Sequence, residues 1–220
     1  MRRHLALALM LSLPLAGCLI SDTRHTLYLS PDGDVTWVVM EEAIHSDEDD
    51  AGDRQREERG LLDRLASERH PIAVALDALG PRRLDSRLVR DVRPYTIRTT
   101  AEFRSVEWLL EDLFAGLGIV ARVDLDSFGD ERRLVIAFRP DADGEEGSGE
   151  NAADDATLHP LVASADRYSI VLTEGRFVDA VGFELNGSKT VARPPTGDLE
   201  ELQGDDGEVL LSLSWVTDGR

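Results

Sequence analysis

The sequence predicts an α+β fold, mainly antiparallel β-sheet with two or three packed amphipathic helices. Three observations predict it. Short segments such as "VTWVVM" and "VLLSLSW" alternate side chains onto two faces, the period of a half-buried strand. Turn residues separate them, with "SPDGD" after "TLYL" and Asn186-Gly187 as the strongest hairpin signal. The helical stretches stand between groups of strands rather than after every strand, which favours α+β over a parallel α/β sheet.

The first element is a hairpin over Thr26 to Glu42, turning at Pro31, Asp32 and Gly33. Val35, Trp37 and Val39 share one face of its second arm. Residues 46–70 follow, acids first and arginines after, an order that suits a helix dipole. Leu61, Leu62 and Leu65 begin its apolar stripe, and His70-Pro71 interrupts it. "IAVALDALG" is a second helical run, ending at Gly80. Tyr95, Ile97, Ala101 and Phe103 then lie on one face of a strand. Ser105 is placed to cap a helix through "VEWLLEDLFAGLG", with Leu109, Leu113 and Leu117 along one side. Two strands, Ile119 to Leu125 and Arg133 to Arg139, are joined by "DSFGDE".

Residues 140–157 hold seven acids, no base and almost no large apolar group. Such a stretch buries too little surface to offset the entropy of ordering, and disorder is expected. Strands follow near Tyr168 to Thr173, Phe177 to Leu185, Lys189 to Arg193 and Glu208 to Thr217. Trp37, Trp108 and Trp215 all fall on apolar faces and are expected in the core. A sharper expectation is that the helix over 106–117 grips the sheet and leaves an apolar groove for a lipid tail or a hydrophobic segment.

The start of the chain has a different character. Arg2 and Arg3 precede a short apolar run, then Pro14, Ala16 and Gly17, which is the layout of a secretory signal peptide. The run is shorter than the roughly 20 residues that span a bilayer. The chain's single cysteine comes next, in "LAGC" at residues 15–18. This motif resembles the lipobox of bacterial lipoproteins. The resemblance implies cleavage before Cys18, a diacylglycerol on its thiol and an acyl chain, such as palmitate, on its new amino group. Two or three chains hold stably where one does not, at about 0.8 kcal/mol per buried CH₂. The expected organisation is then a signal peptide (1–17), a lipidated tether (18–25), an α+β part (26–139), the acidic loop (140–157) and a β-rich part (158–220) completing the same domain. Leu19, rather than Asp, follows Cys18, which leaves the outer membrane open as a destination.

Composition narrows the partners. The 220 residues carry 43 acidic and 24 basic side chains, a formal net charge of −19. Losing Arg2 and Arg3 with the leader makes the balance still more acidic. No basic stripe is available to displace counterions, so nucleic acid is not expected as a partner. Adsorption to an anionic bilayer is disfavoured for the same reason, and the lipid must do the holding. One cysteine closes no intramolecular disulfide, so stability must come from an apolar core.

Signatures of catalysis are missing. There is no HExxH, GxSxG, SxxK, P-loop or GxGxxG after a strand. His25, His45, His70 and His159 are expected as surface or capping residues. Asp124, Asp126 and Gly129 begin a calcium-loop pattern, but Phe128 and Val135 stand where oxygen ligands are needed. No cofactor and no metal site are expected. Asp47, Glu48, Asp49 and Asp50 read as a solvated helix start.

"TLYLSPDGDVTWVV" is similar to the opening strands of LppM-like lipoproteins, and "YSIVLTEGRFVDAVGFELNG" with "VLLSLSW" resembles that family's closing strands. The resemblance implies an envelope lipoprotein of sheet and helices with a lipid-contacting role. The residue it carries over is the lipidated Cys18. The sequence thus predicts a non-enzymatic binding or envelope-assembly protein, anchored through Cys18 at the outer face of a membrane, with a lipid or envelope protein as partner. The alternative is an exported enzyme whose dispersed carboxylates, such as Asp124, Asp126 and Glu184, meet in a cleft.

Overall fold

The computed structural model describes residues 19–139, 157–161, 167–194, 202–204 and 207–217. Its architecture is α+β with two sheets on a shared core, as the alternating strands predict. The first hairpin is β1 (Leu19–Leu29) and β2 (Val35–Ser46). Gly33 makes its turn at φ +90°, a region that favours glycine. Helices α1 (Ala51–Ala66) and α2 (Pro71–Asp77) follow, then strands β3 (Arg83–Arg90) and β4 (Tyr95–Phe103). Helix α3 (Val106–Gly116) leads to the hairpin β5 (Ala121–Phe128) and β6 (Glu131–Phe138). The last strands are β7 (Tyr168–Leu172), β8 (Arg176–Val181), β9 (Glu184–Leu185), β10 (Val191–Arg193) and β11 (Val209–Val216).

Seven strands form one sheet in the order β3-β4-β2-β1-β7-β10-β9, and four form the other in the order β5-β6-β11-β8. Every pairing is antiparallel except β1 with β7. Trp37, Val39, Ala101 and Phe103 from the larger sheet share one core with Leu134, Phe177, Leu213 and Trp215 from the smaller. Helix α2 adds Ala75 and Leu76, and α3 adds Val106 and Leu109. Each large apolar side chain buried there contributes about 1.5–3 kcal/mol. A second cluster, Ile44, Leu61 and Ile97 with Leu19 and Tyr95 against it, lies where β1 begins.

Several expectations are corrected. Residues 19–25, placed in a tether from sequence, are part of β1, because β2 extends to Ser46 and offers ladder partners as far back as Leu19. The helix expected over 46–70 begins only after Asp50, whose carboxylate accepts from the Gly52 and Asp53 amides at 2.8 and 3.1 Å and stops it extending backwards. The strand expected over Phe177 to Leu185 divides at Gly182, which has φ +71°, so that β8 and β9 join different sheets. The expected disorder of 140–157 lies outside the described residues, except for Thr157, which opens a helical segment at 157–161. Ser105 caps α3 as expected, accepting from the Trp108 amide at 3.3 Å.

Candidate functional site

Cys18 lies outside the described residues, but the next residue opens β1. Leu19 pairs with Ser46 at the end of β2, and Ile44 pairs with Tyr95 at the start of β4. One end of the seven-stranded sheet is therefore the end from which Cys18 departs.

The strongest chemical feature near that end is an acid–base contact that the opening hairpin sets up. Val35, Trp37 and Val39 occupy the buried face of β2, and Glu41 is the next residue in that phase. Its carboxyl meets the imidazole of His70, which stands at the N-cap position of α2. His70 Nε2 is 3.2 Å from Glu41 Oε2, off the hydrogen-bond axis. Only 2% of the His70 side chain and 14% of Glu41 are exposed. Burial pushes the Glu41 carboxyl up to about 7. Burial, and then the charge of Arg64, bring His70 down to about 4. Between those two values the pair is uncharged, a carboxylic acid beside a neutral imidazole.

Glu41 and His70 form the inner wall of a cleft of about 470 Å³, with Arg56, Glu57 and Arg64 from α1 opposite and Leu19 and Ile44 at its apolar end. Glu57 is held by the Ser46 hydroxyl, which donates to its carboxylate. Glu41, raised to about 7, is the carboxyl of this cleft available to give or take a proton near neutral pH. Ser86 lines a neighbouring cleft with His70, but its hydroxyl is engaged with that of Thr99 at 2.8 Å.

A second buried histidine sits further along the sheet. His25 lies opposite Tyr168 across the parallel β1–β7 pair, and the rings stack with centroids 4.3 Å apart. Trp37 Nε1 donates to His25 Nδ1 at 3.3 Å, which leaves the proton on Nε2. That nitrogen has no hydrogen-bond partner among the described residues, and burial lowers the imidazole to about 4. The Tyr168 hydroxyl donates to the Leu161 carbonyl. This cluster ties the first strand to the last third of the chain.

The helix over 106–117 does leave a groove, of about 320 Å³, but it is half polar. Leu79, Phe103, Trp108 and Leu109 share its lining with Arg82, Arg104 and Asp112. Trp108 is 67% exposed rather than in the core, because Val106 and Leu109 take the buried face of α3. Trp37 and Trp215 are fully buried, as expected.

The other sequence candidates fall out differently. His25 and His70 are buried, not surface residues, since both are in phase with buried neighbours. His45 is half-buried and donates from Nδ1 to the Ala43 carbonyl at 2.6 Å; His159 is exposed. Asp124 and Asp126 share an exposed face of β5, where Asp124 pairs with Arg122 at 3.0 Å. Glu184 is on β9, an edge strand of the other sheet, so these three carboxylates are not gathered by one element. Among the described residues no group of three His, Cys, Asp or Glu is placed to hold a metal. Nor is any helix among them long and apolar enough to cross a membrane. Sequence reasoning missed Glu41. The available signal was an acid continuing the buried alternation of Val35, Trp37 and Val39.

No family model matches the sequence, and no curated protein matches it. Among solved structures, the chain is similar to the NMR structure of the folded domain of Mycobacterium tuberculosis LppM. The two share 11% identity over 90% of this chain and 91% of that one, with a TM-score of 0.35. At that score the likeness carries no argument about fold or activity.

Proposed function

We propose that the chain is a bacterial lipoprotein, held by a lipidated Cys18 at the outer face of a membrane, and that it binds or assembles envelope components without catalysing a reaction. The observation that carries this reading is the junction of two features. "LAGC" ends at residue 18, and the folded domain begins at residue 19 with a paired strand. A domain with no spacer stands directly on the bilayer surface, where an extended linker would let it range at up to ~3.3–3.6 Å per residue. The half-polar groove beside α3, with Trp108 on its rim, is the surface offered to a partner. An exposed Trp flanked by Arg82 and Arg104 is typical of interface anchors.

The test is metabolic labelling with a fatty-acid probe, followed by membrane fractionation, on the wild type and on Cys18→Ser. Label and membrane association are expected for the wild type and lost in the variant. A variant that stays in the membrane fraction overturns the anchor. Turnover of hydrolase or transferase substrates by the purified chain overturns the non-enzymatic part.

A further inference from the structure

We propose that the β3–β4 hairpin tip, with Val89 and Val92 at its apex, is a second membrane contact that docks the domain on a lipid bilayer beside the Cys18 anchor. This inference rests on the anchoring proposed above and adds an orientation to it. The strand register supplies the geometry. Leu19 pairs with Ser46, Ile44 with Tyr95, and Thr96 with Arg90. The start of β1 and the tip over residues 91–94 therefore project from the same end of the seven-stranded sheet. Two strands stand between β1 and β3. At ~4.8 Å per strand the anchor and the tip are about 14 Å apart, well within the footprint of one domain on a bilayer.

The tip is apolar where a solvated hairpin has no need to be. Val89 is 55% exposed and Val92 59%, and Ile20, two residues from the anchor, is 48% exposed. Val89 is the extra residue of a β-bulge, since Leu88 pairs with Ile97 and Arg90 with Thr96. Bulges at sheet edges redirect side chains and break the ladder. The tip is also held rather than loose, because Arg93 pairs with Glu58 of α1 at 3.1 Å. Valines at a held tip can reach the boundary between headgroups and acyl chains, ~5–10 Å deep.

Charge decides which bilayer. Arg90 and Arg93 flank Asp91, and Asp47 to Asp50 follow β2 at this same end. The acids oppose an anionic surface, so the contact is driven by apolar burial and needs only zwitterionic lipid. A lone pair of valines binds too weakly to recruit the chain. Next to a lipid already inserted, the second contact is intramolecular and benefits from a high effective concentration.

The experiment uses the full lipidated chain in phosphatidylcholine vesicles. Lipidation consumes the thiol of Cys18, so Val89→Cys, Val92→Cys and Asp32→Cys each introduce a unique thiol for an environment-sensitive fluorophore. Asp32, in the turn at the opposite end of β1 and β2, is the reference. Blue-shifted emission and quenching by spin-labelled lipid are expected at 89 and 92 but not at 32. Val92→Asp in a chain labelled at 89 should abolish the shift while the protein still sediments with vesicles. If the chain sediments but all three labels report water, the docking is wrong and the anchor stands. If the chain does not enter vesicles at all, the anchor is wrong and the docking falls with it.

Discussion

Glu41→Gln should stabilise this protein at alkaline pH and leave it unchanged at acid pH. The Glu41 carboxyl is 14% exposed and is raised by burial from 4.5 to about 7. A raised carboxyl holds its proton more tightly in the folded state than in the unfolded one. Its stabilising contribution is therefore complete below pH 4.5 and is lost as pH rises through about 7. The change from 4.5 to about 7 corresponds to about 3 kcal/mol of folding free energy, all of it lost at pH 8. Glutamine is neutral at every pH, has nearly the same shape, and offers His70 an amide donor. The assay is urea unfolding of both proteins from pH 4 to pH 8.5. The difference should be near zero at pH 4 and grow to about 3 kcal/mol in favour of the variant by pH 8. A difference that does not change with pH refutes the reasoning. It would mean that Glu41 binds its proton equally well in the folded and unfolded states, so that burial does not raise it.

Three other predictions follow from the same geometry. His25 is lowered by burial to about 4, so its contribution is present above pH 6.5 and is lost as pH falls through 4. His25→Phe keeps the stacking on Tyr168 and removes that titration, so thermal unfolding at pH 4 should show the variant gaining stability relative to its difference at pH 7. Gly175 has φ +86°, and an added Cβ would lie 2.1 Å from the Val216 carbonyl oxygen. Gly175→Ala should lose about 1–3 kcal/mol in denaturant melts, and more if β8 separates from β11. Trp108→Ala should change stability by less than about 0.5 kcal/mol, because the side chain is largely exposed.

Sequence periodicity is informative where one face of an element is buried and the other is wet. The hairpin of β1 and β2, the strand from Tyr95 to Phe103 and the terminal strand that carries Trp215 all satisfy that condition, and all were legible. Strand β3, "RLDSRLVR", was not, because as an edge strand it only half-buries the face of Leu84, Ser86 and Leu88, and its charges mask that alternation. The parallel pairing of β1 with β7 was also hidden, since it joins residues more than a hundred positions apart that carry no mutual signal. His25 and His70 are expected from sequence as surface or capping residues; His70 does stand at the N-cap position of α2, but both side chains are buried. Each lies in register with buried neighbours, Leu27 and Leu29 for the first and Ala73 for the second. Trp108 misled in the opposite direction, since an apolar helix eleven residues long has more large side chains than its narrow buried stripe can hold. The candidate anchor was the most legible feature because it is a linear motif. The acid–base pair was the least legible, because it forms only when β2 and the start of α2 pack together.

The central claim is that Cys18 is the first residue of the mature chain and its membrane anchor. Mass spectrometry of the N-terminal peptide, taken from protein purified out of membranes, tests it most directly. The account predicts a peptide beginning at Cys18 with a diacylglyceryl thioether on its sulfur. A peptide that extends upstream of residue 18, or a Cys18 that reacts as a free thiol, contradicts it.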